Sequence, residues 1–116
     1  VTDAREGLQW YVVRCVLRHL DEVPGSDDNW YEERLTLWQA RTDGEAIQLA
    51  EAEAEEYVDD LDDEYLGLAQ SYRLPTEPVH GAEVFSLIRR SSLTPQAYLG
   101  AFFATGTEVT GLLGEP

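Results

Sequence analysis

An α+β fold is predicted: a four-stranded antiparallel sheet with one long acidic helix on one face, in the order β-β-α-β-β-α. Three observations carry this expectation. Residues 8–20 and 30–40 alternate in side-chain character with period two. A capping sequence, T-D-G-E, then opens a stretch whose apolar residues recur every three or four positions. Beyond it, two β-rich segments flank the turn-forming PTEPVHG.

The first element, LQWYVVRCVLRHL, sets Tyr11, Val13, Cys15 and Leu17 against Trp10, Val12, Arg14, Val16 and Arg18. β-Branched and aromatic residues throughout make it a strand. DEVPGSDDN supplies a turn, and WYEERLTLWQA follows as a second strand in a long-looped antiparallel hairpin. Leu35 and Leu37 are expected to face the helix, leaving Trp10, Arg14, Arg18, Trp30, Arg34 and Trp38 together on the other face. With an even register, Arg18 would lie near Glu32, a cross-strand pair contributing roughly 0.2–1 kcal/mol.

Thr42 is the expected cap of the helix, its hydroxyl accepting from the Glu45 amide. Ala46, Ile47, Ala50, Ala54, Tyr57, Val58 and Leu61 form its apolar stripe. Acids crowd its negative end, which predicts fraying near Asp59. EYLGLAQSYRL and GAEVFSLIRR read as strands three and four of a second hairpin. Thr94 then caps a short helix that begins at Pro95, presents Ala97, Tyr98, Ala101 and Phe102, and ends at Gly106. One domain of residues 1–116 is expected, with a core of about 8–104 and mobile segments at 1–7 and 107–116.

Composition narrows the function classes. All eight basic residues are arginine. Chemistry that needs an ammonium from this chain, such as a phosphate-loop or Schiff-base lysine, is therefore excluded. Arginine-only basicity, the lack of methionine and a first residue of valine suggest a GC-rich bacterial gene with a valine start codon. The net charge is −15, and residues 43–64 hold eleven acids and no base. Cys15, the single cysteine, has no intrachain partner and suits a reducing, cytoplasmic setting. No apolar run is long enough for a membrane span, and VTDAREG lacks the apolar core of a signal peptide.

Candidate chemistry is sparse, and no catalytic, cofactor-binding or metal-ligating residue is assigned. His19 stands four residues from Cys15 along one strand, on the order of 13 Å, which is too far for a dyad. DDLDDE has alternating carboxylates, but a calcium loop starting at Asp60 would need glycine where Tyr65 stands and glutamate where Ser71 stands. Glu32 and Glu33 are strand neighbours pointing to opposite faces and cannot act on one bond. No glycine-rich phosphate cradle follows a strand.

The Trp and Arg face is the strongest lead. Three occupants are open for it: nucleic acid stacked on the rings, a homodimer or other protein partner, and the chain's own C-terminal helix. The net negative charge opposes the first. A second candidate surface is acidic: Glu51, Glu55, Asp59, Asp60, Asp62 and Asp63.

WYVVR, YEERLTLWQA, EAIQLAEAEAEEY, EYLGLAQSYRL and GAEVFSLIRRSSL together resemble the short bacterial domain-of-unknown-function 4288 family, over about residues 10–93. The Y-E-E-R and G-x-E-V-F-S elements are the most specific. The resemblance implies a bacterial cytosolic β-β-α-β-β unit and carries over no activity and no site residues.

A non-enzymatic binding protein is the leading expectation, as a homodimer or a partner-bound module, with an immunity- or antitoxin-like role toward a basic protein as its more specific form. The first alternative is a small-ligand or enzyme site between helix and sheet, using Arg73, His80 and Glu83. The second is single-stranded nucleic-acid binding through Trp10, Arg14, Arg34 and Trp38.

Overall fold

A computed structural model describes residues 7–103. The chain divides into two compact units, Val1–Ser86 and Leu87–Pro116. The first holds β1 (Gln9–His19), β2 (Trp30–Ala40), α1 (Asp43–Leu61) and β3 (Glu64–Arg73), and the second holds α2 (Pro95–Phe102). The expectation that residues 1–7 and 107–116 are mobile falls outside the described residues, Gly7 excepted, whereas α2 ends at Phe102 with Phe103 as its cap, short of the expected Gly106.

Among the described residues the sheet has three strands, not four, in the antiparallel order β2-β1-β3. The element order is therefore β-β-α-β-α. The expected fourth strand, GAEVFSLIRR, forms no ladder. Strand propensity acts only where a residue finds a partner edge and a face to pack on. In this segment Phe85 finds packing, whereas Val84 and Leu87 are about half exposed and Ile88 is 94 % exposed.

The hairpin register also differs from the expectation. Ten residues connect His19 to Trp30, which are themselves partners. An even-numbered connection couples odd positions of β1 to even positions of β2: Tyr11 with Trp38, Val13 with Thr36, Cys15 with Arg34, and Leu17 with Glu32. Directly opposed residues share a face. Leu35 and Leu37 consequently lie on the face away from the helix, at 47 % and 45 % exposed, and Arg34 and Trp38 lie on the helix side. Arg18 is opposite Tyr31 and pairs with Glu64 at 2.6 Å, so the expected Arg18–Glu32 pair does not form.

The odd residues of β1 do face the helix as expected. Tyr11, Val13 and Cys15 form the core with Ala40, Ala46, Ala50 and Ala54, and Trp38, Ile47, Tyr65 and Ala69 pack around it. Alanine at each contact turn lets the α1 backbone approach the sheet closely. Thr42 caps α1, accepting from the Glu45 amide at 3.0 Å. The helix does not fray at Asp59 but runs to Leu61, whose side chain is about half exposed rather than part of the buried stripe. It ends in a Schellman turn in which the Asp63 amide donates to the Val58 carbonyl at 2.9 Å. Asp62 takes the left-handed position there at φ 57°, a place usually filled by glycine.

β3 is irregular. Ala69 opposes Cys15 and Tyr65 opposes Leu17, so four steps along β3 match two along β1. Gly67, at φ 80°, lies in this bulge and tolerates that angle because it has no Cβ. Two extra residues preserve the alternation, and Tyr65 remains on the helix side. In the second unit, Thr94 caps α2 by accepting from the Ala97 amide at 3.3 Å. Arg89 donates to the Tyr98 hydroxyl and stacks over Phe102 at 4.9 Å.

Candidate interaction surface

The six residues expected to share one Trp and Arg face are divided between the two faces of the sheet. Trp10, Arg14 and Arg18 lie on the side away from α1, while Trp30, Arg34 and Trp38 lie on the α1 side. Trp38 packs against the core and donates from Nε1 to the Thr36 hydroxyl at 2.7 Å. Arg34 is held by Glu53 of α1, with one contact at 2.6 Å, and its guanidinium sits 4.0 Å over the Tyr57 ring. The Glu53 hydrogen bond, opposed by burial, holds the Arg34 pKa above its ordinary value. Trp30, opposite His19 at the strand end, is exposed.

The open face is built by even positions of β1, odd positions of β2, and Gln70 and Tyr72 of β3. Its charges are matched internally. Arg14 reaches Glu33 at 3.2 Å and Gln70 at 3.2 Å from Nε, and Arg18 reaches Glu64. Phe85 stands 5.1 Å from the Arg14 guanidinium and 5.9 Å from the Tyr72 ring. Burial, and then a hydrogen bond with Glu83, raises the Tyr72 phenol. Phe85 thus shields the β1–β3 side, and Tyr31, Leu35 and Leu37 of β2 remain exposed beside it.

Such an exposed apolar row on a sheet face is the feature that marks contact surfaces. Sequence reasoning missed it because Leu35 and Leu37 read as core. The signal available was the even length of the connection between the strands.

The acidic surface also separates into two sets. Glu55, Asp59, Asp60 and Asp62 are exposed to solvent. Glu51 instead accepts from the Tyr65 hydroxyl at 2.6 Å. Burial and that hydrogen bond hold the Tyr65 pKa far above its ordinary value. Asp63 accepts from the Leu20 amide at 3.1 Å and bonds His19 Nδ1 at 2.5 Å.

His19 Nε2 meets Glu32 at 3.0 Å, and Glu32 also accepts from the Tyr57 hydroxyl at 3.0 Å. This chain of Asp63, His19, Glu32 and Tyr57 fastens the end of α1 to the ends of β1 and β2. It was not read from the sequence, where its members are up to 44 positions apart. Both imidazole nitrogens are engaged by carboxylates, so the histidine acts as a brace. Cys15 is buried, and burial pushes its thiol up, away from the reactive thiolate.

The residues suggested for a ligand site do not converge between helix and sheet. Arg73, His80 and Glu83 are exposed, and alanines of α1 fill the helix–sheet space. A cleft of about 440 Å³ lies at the end of the sheet opposite His19, against Leu8, Trp10, Gln39, Leu74, Pro75 and Glu77. No helix among the described residues is long and apolar enough to cross a membrane. Comparison with family models, curated proteins and solved structures finds no match for the chain.

Proposed function

We propose that the chain is a non-enzymatic interaction module that docks protein on the open face of its sheet. The observation that carries this reading is the exposure of Leu35 and Leu37, at 47 % and 45 %, in the middle of a regular eleven-residue strand. Leucines at the centre of a strand, beside arginines already neutralised by their neighbours, form an apolar contact surface with a polar border.

Stability of the dilute monomer tests it. Leu35→Thr and Leu37→Thr keep strand propensity and remove apolar surface. If the face is free for a partner, each variant unfolds in urea within about 0.5 kcal/mol of the parent when measured at nanomolar concentration. A loss of about 2 kcal/mol or more means that the chain buries these leucines itself, and the docking reading falls.

A further inference from the structure

Backbone geometry and charge at the rim of the sheet indicate how a protein reaches the leucine row and what chemistry it carries. Among the described residues β2 pairs with β1 alone, so every second N–H and C=O along its outer edge lacks a strand partner. That edge runs for eleven residues without proline and without a bulge in its ladder, two devices that blunt a free edge. β3, on the other rim, carries the Gly67 bulge. An unblunted edge of this length is a template for one more strand.

Charge distinguishes the two sides of the edge. Glu53 of α1 holds Arg34, and Tyr57 donates to Glu32, which places this flank of the helix along β2. Leu49, Glu53, Glu56 and Asp60 are spaced four, three and four residues apart and so form one line on that flank. Glu53 is neutralised by Arg34, while Glu56 and Asp60 are exposed. On the opposite side of the sheet the β2 row is Tyr31, Glu33, Leu35 and Leu37, with Glu33 paired to Arg14.

Resting on the docking reading above, we propose that the outer edge of β2 accepts an extended segment of a basic protein as an added strand. Its apolar side chains, at alternate positions, stand beside Leu35 and Leu37, and the arginines or lysines between them are directed at Glu56 and Asp60. Successive side chains of a strand point to opposite faces, so a segment whose character alternates meets both surfaces at once. Basic residues two apart are about 7 Å from each other, and the line from Glu53 to Asp60 is about 10 Å long, so two of them fall along it. The ladder supplies affinity, and the alternation supplies specificity. The chain's charge of −15 draws such a segment in from a distance. A second copy fits the edge poorly, because pairing β2 with β2 about a two-fold axis sets two identical acidic lines on the same side of the joined sheet.

The probe is a fluorescent peptide of alternating valine and arginine, blocked at both ends and about nine residues long, which covers most of β2. Titrated with the full chain at about 0.15 M sodium chloride and read by anisotropy, it should bind at least about tenfold more tightly than a peptide of the same composition with its valines and arginines in two blocks. Methylating the backbone nitrogens of the valines alone, or of the arginines alone, removes the N–H groups of one edge of the peptide. One of these two peptides should lose about tenfold or more in affinity, and the other should bind like the unmethylated one. Glu56→Gln with Asp60→Asn should weaken binding about fivefold, whereas Glu55→Gln with Asp59→Asn, which removes the same charge from other helix surface, should change it by less than about twofold. An alternating peptide that fails to bind at about 1 mM, or binds no better than the block peptide, overturns strand addition. So do two methylated peptides that behave alike, and two double variants that weaken binding equally. If strand addition is overturned while Leu35→Thr and Leu37→Thr remain as stable as the parent, the docking reading stands for a partner that approaches the face by another route; if those variants are destabilised, both fall.

Discussion

His19 bonds Asp63 through Nδ1 and Glu32 through Nε2, so its protonated form donates to both carboxylates at once. Its pKa is raised, chiefly by the Asp63 hydrogen bond, against an opposing contribution from burial. The groups facing it are Asp63 beyond α1, Glu32 of β2 and, through Glu32, Tyr57 of α1, whose own pKa that bond raises. A histidine whose folded pKa exceeds its unfolded value stabilises the fold fully below the unfolded value of 6.5 and loses that contribution as pH rises through the folded value. The parent is expected to lose stability between pH 6 and pH 9 relative to His19→Gln, and at pH 6 the variant should be weaker by about 1.5–3 kcal/mol, the range for hydrogen bonds to charged groups. Urea unfolding of both proteins across that pH range checks it, and parallel profiles would show that the imidazole is not protonated in the brace.

At the scale of elements, α1 is defined by its alanines. Ala46, Ala50 and Ala54 are almost completely buried against β1, and this contact has no room for longer side chains. Ala50→Leu should cost about 1–3 kcal/mol by overpacking, measured as a lower urea midpoint, although leucine has good helix propensity. The start of α1 was legible because Thr42 and Glu45 form a local signal, and β1 was legible because its odd positions from Tyr11 to Leu17 are apolar. β2 was legible as a strand but not in orientation. Both of its faces carry large side chains, and the buried one includes Arg34 and Glu32, made acceptable there by Glu53, Tyr57 and His19 across the fold. Partners that are distant in sequence cannot be read from a local alternation. The same reason explains GAEVFSLIRR, whose composition favours a strand while its fate depends on finding an edge.

At the scale of the whole molecule, the charge distribution was legible and the exposed leucine row was not, because composition locates the acids while only the register locates the leucines. Along α1, Glu51 and Glu55, Glu55 and Asp59, and Glu56 and Asp60 are like charges four residues apart. Each such pair destabilises by about 0.2–0.5 kcal/mol, so screening by salt should raise stability by about 1 kcal/mol in all. Urea midpoints measured from roughly 0.02 M to roughly 0.5 M sodium chloride are expected to rise, and a fall would mean that ion pairs such as Arg34–Glu53 outweigh the repulsion. The concentration of acids on the α1 side of the sheet, against mostly paired charges on the other, has a further effect. It gives the unit Val1–Ser86 an electric dipole roughly perpendicular to the sheet, and a dipole in a field experiences a torque. Near any positively charged surface the unit turns helix first, which leaves the leucine row directed outward, so its orientation is set before contact is made.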